Sequence, residues 1–162
     1  MLAALALRPD DRLLDVGCGG GVFLRRALET GCSATGADHS REMVRLARRT
    51  SGVEIVLAEA EQLPFADGEF TAVSSLVAFF FFPDPVRALR ELRRMLDRER
   101  GRLAIFTTAP EAKGSPAAPY PLATRGHFYS DEELAQLPLE AGFSESKVSR
   151  LDEWGQLLVA QP

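Results

Sequence analysis

Cysteine is scarce in this chain. Its 162 residues include two, Cys18 and Cys32. Their spacing fits no metal-ligand pattern, and two thiols do not make a disulfide scaffold, so a reducing, cytoplasmic setting is expected. Histidine is as sparse: His39 and His127 stand alone. No metal centre and no nucleophile–histidine–acid array is visible. The net charge is -4, which leaves no overall basic footprint for nucleic acid. The apolar start, residues 1–9, is too short to span a bilayer and has no basic leader. It reads as a short helix ending before Pro9. Neither an internal repeat nor a low-complexity segment is present.

What remains is the composition of an ordinary globular domain, 46% hydrophobic and 26% charged. One domain over residues 1–162 is expected. Arginines cluster at Arg45, Arg48 and Arg49, and at Arg87, Arg90, Arg93 and Arg94. Both clusters fall on helical segments among acids and leucines, and read as solvated faces.

The most informative stretch is Leu13-Leu14-Asp15-Val16-Gly17-Cys18-Gly19-Gly20-Gly21. A short apolar strand runs into a glycine-packed turn and then a helix. Without Cβ atoms at 17, 19 and 21, a ligand can lie on bare backbone and meet N–H donors at the helix start. Cys18 sits where this turn needs a small residue. Asp38 ends the next apolar segment, at the distance where an acid commonly grips a ribose. These features point to a nucleoside-containing cofactor.

Strand and helix signals alternate along the chain. Strands are expected at residues 12–16, 33–37, 54–58, 70–79 (with its exit) and 102–107. Helices are expected at 21–30, 40–49, 85–96 and 130–141. Segments 143–151 and 154–160 are spaced to pair as a final antiparallel hairpin. The alternation predicts a parallel sheet covered on both faces. The connection 108–125, rich in Ala, Pro and Gly, is long enough to be either a lid over the substrate or a disordered connector.

Ligands of such sheets bind beyond the carboxyl ends of the strands. Gly17–Gly21, Asp38, Ala58-Glu59-Ala60 and the segment from Ser74 to Phe79 converge on that rim. Asp38 either grips a vicinal diol or caps the next helix; Ser40 can also cap, which favours the ligand role. Asp15, inside a strand, needs hydrogen bonds and either organises the turn or meets a charged ligand group. Glu59 can accept from an exocyclic amine and the Ala60 N–H can donate to a ring nitrogen, a pair that reads an adenine edge; Glu61 reads as solvated. His39 flanks the ribose or solvent. One or two rings of Phe79-Phe80-Phe81-Phe82 can wall the reactive end, with core packing as the ordinary role. His127 and Tyr120 are the weak candidates for a catalytic base.

The first motif, then Gly36-Ala37-Asp38-His39-Ser40, then Ala58-Glu59-Ala60-Glu61-Gln62-Leu63-Pro64-Phe65, resembles the class I S-adenosylmethionine-dependent methyltransferases. The ubiquinone/menaquinone-biosynthesis type of small-molecule methyltransferase is the branch it looks most like. Phe82-Pro83-Asp84-Pro85, Ser130-Asp131-Glu132-Glu133-Leu134 and Ala141-Gly142-Phe143 resemble later signposts of the family. The resemblance implies a Rossmann-like three-layer sandwich with a mostly parallel seven-stranded sheet. It implies S-adenosylmethionine as cofactor, with Asp15 and Gly17 near its methionine part, Gly19 along its backbone and Asp38 on the ribose. It also places Glu59 and Ala60 at the adenine and Ser75 near the sulfonium.

Several residues depart from the family pattern. Glu59 and Thr71 each stand where an Asp is usual, and Arg98-Glu99-Arg100-Gly101 replaces a Pro-Gly-Gly turn. The N-terminal cap is nearly absent, so a partner subunit or the 108–125 loop would supply the lid unless the chain is truncated. The expected activity is methyl transfer to a small-molecule acceptor. The rival reading is a non-catalytic cofactor-binding or interaction module, in which an exposed Phe79–Phe82 patch marks a partner interface and a homodimer forms.

Overall fold

The chain folds into one seven-stranded sheet with helices on both faces. The structure is a computed structural model and describes residues 1–116, 118–120 and 122–162, with the main chain only at 122. The strands are β1 (Arg12–Val16), β2 (Ser33–Asp38), β3 (Glu54–Leu57), β4 (Ala72–Leu76), β5 (Arg102–Thr108), β6 (Glu145–Arg150) and β7 (Gly155–Gln161). The helices are α1 (Leu2–Leu5), α2 (Val22–Leu28), α3 (Arg41–Thr50), α4 (Pro85–Met95) and α5 (Asp131–Glu140). The order across the sheet is β3-β2-β1-β4-β5-β7-β6. Strands β1 to β5 run parallel, and β7 is antiparallel to both β5 and β6. The seven strands are those the resemblance implies, and the antiparallel hairpin is the one the spacing predicts.

Local chemistry sets the helix ends. Ser40 caps α3, accepting from the Met43 N–H at 3.4 Å, with Glu42 in the first turn and Arg48 and Arg49 in the last. Asp84 caps α4, and Pro85 fits its first position, where no N–H is needed. Ser130 and Glu133 close a capping box on α5. One face of the sheet packs Leu14, Val73 and Ile105 against Leu89 and Leu92 of α4 and Leu134 of α5. The other face carries Leu13 and Ala72 against Leu5, Phe23 and Ala27, and Ile55 against Leu24, Val44 and Ala47. Both cysteines are buried and free.

Some expected boundaries shift. Helix α2 is three residues shorter than the expected 21–30: it begins after Gly21, whose φ of 77° is left-handed, and stops at Leu28. The strand expected through residue 79 stops at Leu76, because Val77 turns to a φ of 57° and Phe79–Phe81 coil into a 3-10 turn. Trp154 lies outside the hairpin strands, in the turn that Asp152 organises. The 108–125 connection contains 3-10 turns at Pro110–Ala112 and Leu122–Thr124. Residues 117 and 121 of this connection, expected to be either a lid or a disordered connector, lie outside the described residues.

The Thr71 departure has a local cause. Buried Asp11 already supplies a carboxylate there, paired to Arg102 at 2.6 Å. The Thr71 hydroxyl donates to Asp11 Oδ1 at 2.7 Å and accepts from the Arg12 N–H at 3.0 Å. A second buried carboxylate at 71 would face the first without a cation of its own.

Candidate functional site

The chain reverses its direction of travel across the sheet at β1, whose neighbours are β2 and β4. Such a switch point opens a crevice beyond the carboxyl ends of the strands. A cleft of about 340 Å³ lies there. Its walls come from the β1 turn (Gly17, Gly19), the β2 exit (Asp38, His39), the β3 exit (Glu59, Ala60) and the β4 exit, which contributes Val77, Ala78, Phe81 and Phe82.

The glycine turn is held by backbone. The Gly17 and Cys18 N–H groups both donate to the Ala37 carbonyl, at 2.8 and 3.1 Å. Gly17 takes a φ of 73°, and a Cβ there would collide with the Ala78 methyl. Gly19 differs: a Cβ built on it meets nothing within 4 Å. Packing therefore demands glycine at 17, whereas at 19 its bare backbone faces open cleft.

Asp38 ties two loops together, and Ser40 rather than Asp38 caps α3. Its Oδ2 accepts from the Gly19 N–H at 2.8 Å, and its Oδ1 accepts from the Ser40 N–H at 2.8 Å. An ionised carboxylate offers about four lone-pair sites, so each oxygen keeps one for a further donor. The Ala58 N–H donates to the Asp38 carbonyl at 3.1 Å, which brings the Glu59-Ala60 segment beside it. Glu59 is exposed, with room for its extra methylene, and Ala60 is buried. Glu61 also lines the cleft, and its Oε1 accepts from the Asp84 N–H at 3.2 Å, a structural contact beyond the solvation expected of it. His39 is exposed, with Nδ1 4.0 Å from Asp38 Oδ1.

Of the sequence-derived candidates, Gly17, Gly19, Asp38, His39, Glu59 and Ala60 share this cleft. Asp15, Cys18 and Ser75 lie behind it. Asp15 is buried and accepts from the Ser74 hydroxyl at 2.6 Å. Burial, reinforced by the negative charge of Asp38, pushes its pKa up to about 7 against the Ser74 hydrogen bond. Cys18 is pushed up to about 12, first by burial and then by Asp15 and Asp38, so its thiol is neutral. Ser75 is fully buried and its hydroxyl finds no partner among the described residues. The weak base candidates are away from the cleft. His127 is exposed, its backbone N–H donating to the Phe80 carbonyl at 2.7 Å, and Tyr120 is 69% exposed.

The phenylalanine run is a correction to the rival reading. Phe79, Phe80 and Phe82 are buried, and Phe81 alone is exposed, at 39%. Three rings cannot form an external patch when they pack on the core: Phe79 meets Phe82 edge-on at 5.4 Å and Phe80 stacks on Phe128 at 5.6 Å. Val77 and Ala78 fall in the Ser74–Phe79 segment expected at the rim, although nothing in the sequence singles them out as cleft walls. A β-branched residue in the left-handed region is an outlier that no local pattern announces.

A larger concavity, about 980 Å³, lies at the far end of α4. Arg90, Arg93 and Arg98 line it together with Asp67, Asp97 and Glu99, so it has no single sign of charge. Among the described residues no group of three or more His, Cys, Asp or Glu is placed to hold a metal ion. No described helix is long and apolar enough to cross a membrane.

Fold and cleft together define a class: an α/β domain with a glycine-floored ligand site at the switch point of a mostly parallel sheet. Residues 14–105 match the methyltransferase domain family, and the chain belongs to the S-adenosylmethionine-dependent methyltransferases. S-adenosylmethionine is the cofactor of that family. A malonyl-[acyl-carrier protein] O-methyltransferase of Enterobacter lignolyticus is 36% identical over 113 residues, covering 69% of this chain and 45% of that protein. A demethylmenaquinone methyltransferase of Thermus thermophilus is 36% identical over 111 residues, covering 64% and 50%. The chain thus spans half or less of the length of these relatives. A methyltransferase structure from Aquifex aeolicus matches with a TM-score of 0.84 over 98% of this chain and 86% of that one; at 22% identity the likeness concerns the fold.

Proposed function

We propose that this chain binds S-adenosylmethionine in the cleft and transfers its methyl group to a small-molecule acceptor. One observation carries the proposal: the open backbone face at Gly19 stands against the Asp38 carboxylate in a cleft of about 340 Å³. That volume lies within the range of small-ligand pockets. The names of the two relatives support methyl transfer, and because their acceptors differ they do not carry an acceptor over to this chain.

The residues present fit the cofactor. The free lone pairs of Asp38 suit a vicinal diol, and Glu59 with the Ala60 N–H suits an adenine edge. Phe81 and Phe82 supply an apolar wall that keeps water from one side of the cleft. When bound, the cofactor would supply an electrophilic methyl carbon to an acceptor lone pair, and Asp38, Glu59 and the Ala60 N–H would hold it. The chain's own contribution is orientation of two bound molecules, which accounts for a large rate factor without an acid–base residue.

Calorimetric titration with S-adenosylmethionine tests the proposal. Saturable binding is expected, and no heat at millimolar ligand would refute it. Asp38→Ala removes charge-assisted hydrogen bonds and is expected to weaken binding by about 1.5–3 kcal/mol. Unchanged affinity in a folded Asp38→Ala protein would remove Asp38 from the site.

A further inference from the structure

We propose that a second hollow, beside the cleft, seats an acceptor built as a single ring with a short arm ending in an ammonium group; that it is the methyl acceptor rests on the transfer reading above. The hollow has a volume of about 220 Å³, the share of roughly seven liquid waters. Val77 lines both the hollow and the cleft, so the two spaces share one wall. Its other walls are the aromatic side chains of Phe106 and Trp154, with Thr108 and Gly155. A Cβ at Gly155 would come within 3.0 Å of the Phe106 ring, so glycine there keeps the space between the two elements open.

The charge in the hollow has one sign. Among the described residues, Asp152 is its only ionisable lining residue. The carboxylate is already oriented: Oδ1 accepts from the Trp154 N–H at 2.8 Å and the Gly155 N–H at 2.6 Å. Among the described residues, nothing donates to its Oδ2. The cation nearest along the chain, Arg150, is engaged by Asp131 at 2.7 Å and Glu111 at 3.2 Å. Aromatic faces attract cations, and a fixed carboxylate adds to that attraction. The same walls repel carboxylates and phosphates. An ammonium held at Asp152 keeps its proton and has no lone pair. It is a handle, and the atom that receives the methyl group is a different one.

The chain has one tryptophan, so Trp154 emission reports on the hollow directly. Three probes differ mainly in charge: 2-phenylethylamine, 2-phenylethanol and 3-phenylpropionate. Each is titrated into the protein, with and without S-adenosylhomocysteine. The amine is expected to shift the emission with a Kd at least tenfold below that of the propionate. Asp152→Asn keeps the Oδ1 acceptor and removes the charge. It is expected to weaken the amine about fivefold and to leave 2-phenylethanol unchanged. Equal binding of amine and propionate, an amine affinity unmoved by Asp152→Asn, or no emission change with any probe would overturn the proposal. Cofactor binding is measured separately by calorimetry. Failure there refutes the methyl-transfer reading, while the emission titration still decides whether the hollow takes a cation.

Discussion

Replacing Asp15 with Asn is expected to raise the melting temperature of the ligand-free protein more and more as pH increases, by roughly 10 °C between pH 4 and pH 8. The sign follows from burial. Below the ordinary carboxylate value of 3.8 the group is protonated whether the chain is folded or not, and it contributes no pH dependence. From there up to about 7 the folded state retains a proton that the unfolded state has released. Stability therefore falls as pH rises through this window, and above it the cost is fully present, on the order of 4 kcal/mol. Asn cannot ionise and escapes that cost, while its side-chain oxygen still accepts from Ser74. Thermal melts of both proteins across the window check the expectation. A difference that stays flat with pH would mean that Asp15 ionises as freely folded as unfolded.

Gly17→Ala is expected to cost about 2–5 kcal/mol. A side chain at φ 73° carries the left-handed penalty of about 1–2 kcal/mol. The remainder is overpacking against Ala78. The two parts are separable. Adding Ala78→Gly relieves the collision and leaves the backbone penalty, so the double variant should recover about 1–3 kcal/mol of what the single one lost. Urea unfolding of the four proteins gives the coupling energy. Strict additivity would show that the two residues do not share the contact. Because Ala78 lines the cleft, Gly17→Ala should also weaken S-adenosylmethionine binding in whatever fraction remains folded.

Much of the architecture can be read from the residues. The β1 apolar run ends in glycines, α3 and α5 announce themselves through Ser40 and Ser130, and Pro85 marks the start of α4. Strand β4 and its exit are expected through Phe79 in such a reading, because the apolar run does not show that the chain turns at Val77. The cleft is legible where backbone freedom or charge marks it, at Gly17, Gly19 and Asp38. It is not legible where the partner is remote. The Gly19 N–H that meets Asp38 lies 19 residues away, and only the fold brings them together. Asp152 and Trp154 carried no motif, because a carboxylate and an indole become a recognition element only when a turn sets them beside Phe106.

Strand β6 precedes β7 along the chain yet hydrogen-bonds to the sheet only through it. It therefore has no place to attach until its successor has formed. During synthesis, β5 must wait with one flank bare, offering Leu103 and Ile105 backbone to any passing strand. Assembly is most vulnerable to mispairing in that interval, and it ends when the hairpin arrives as a unit.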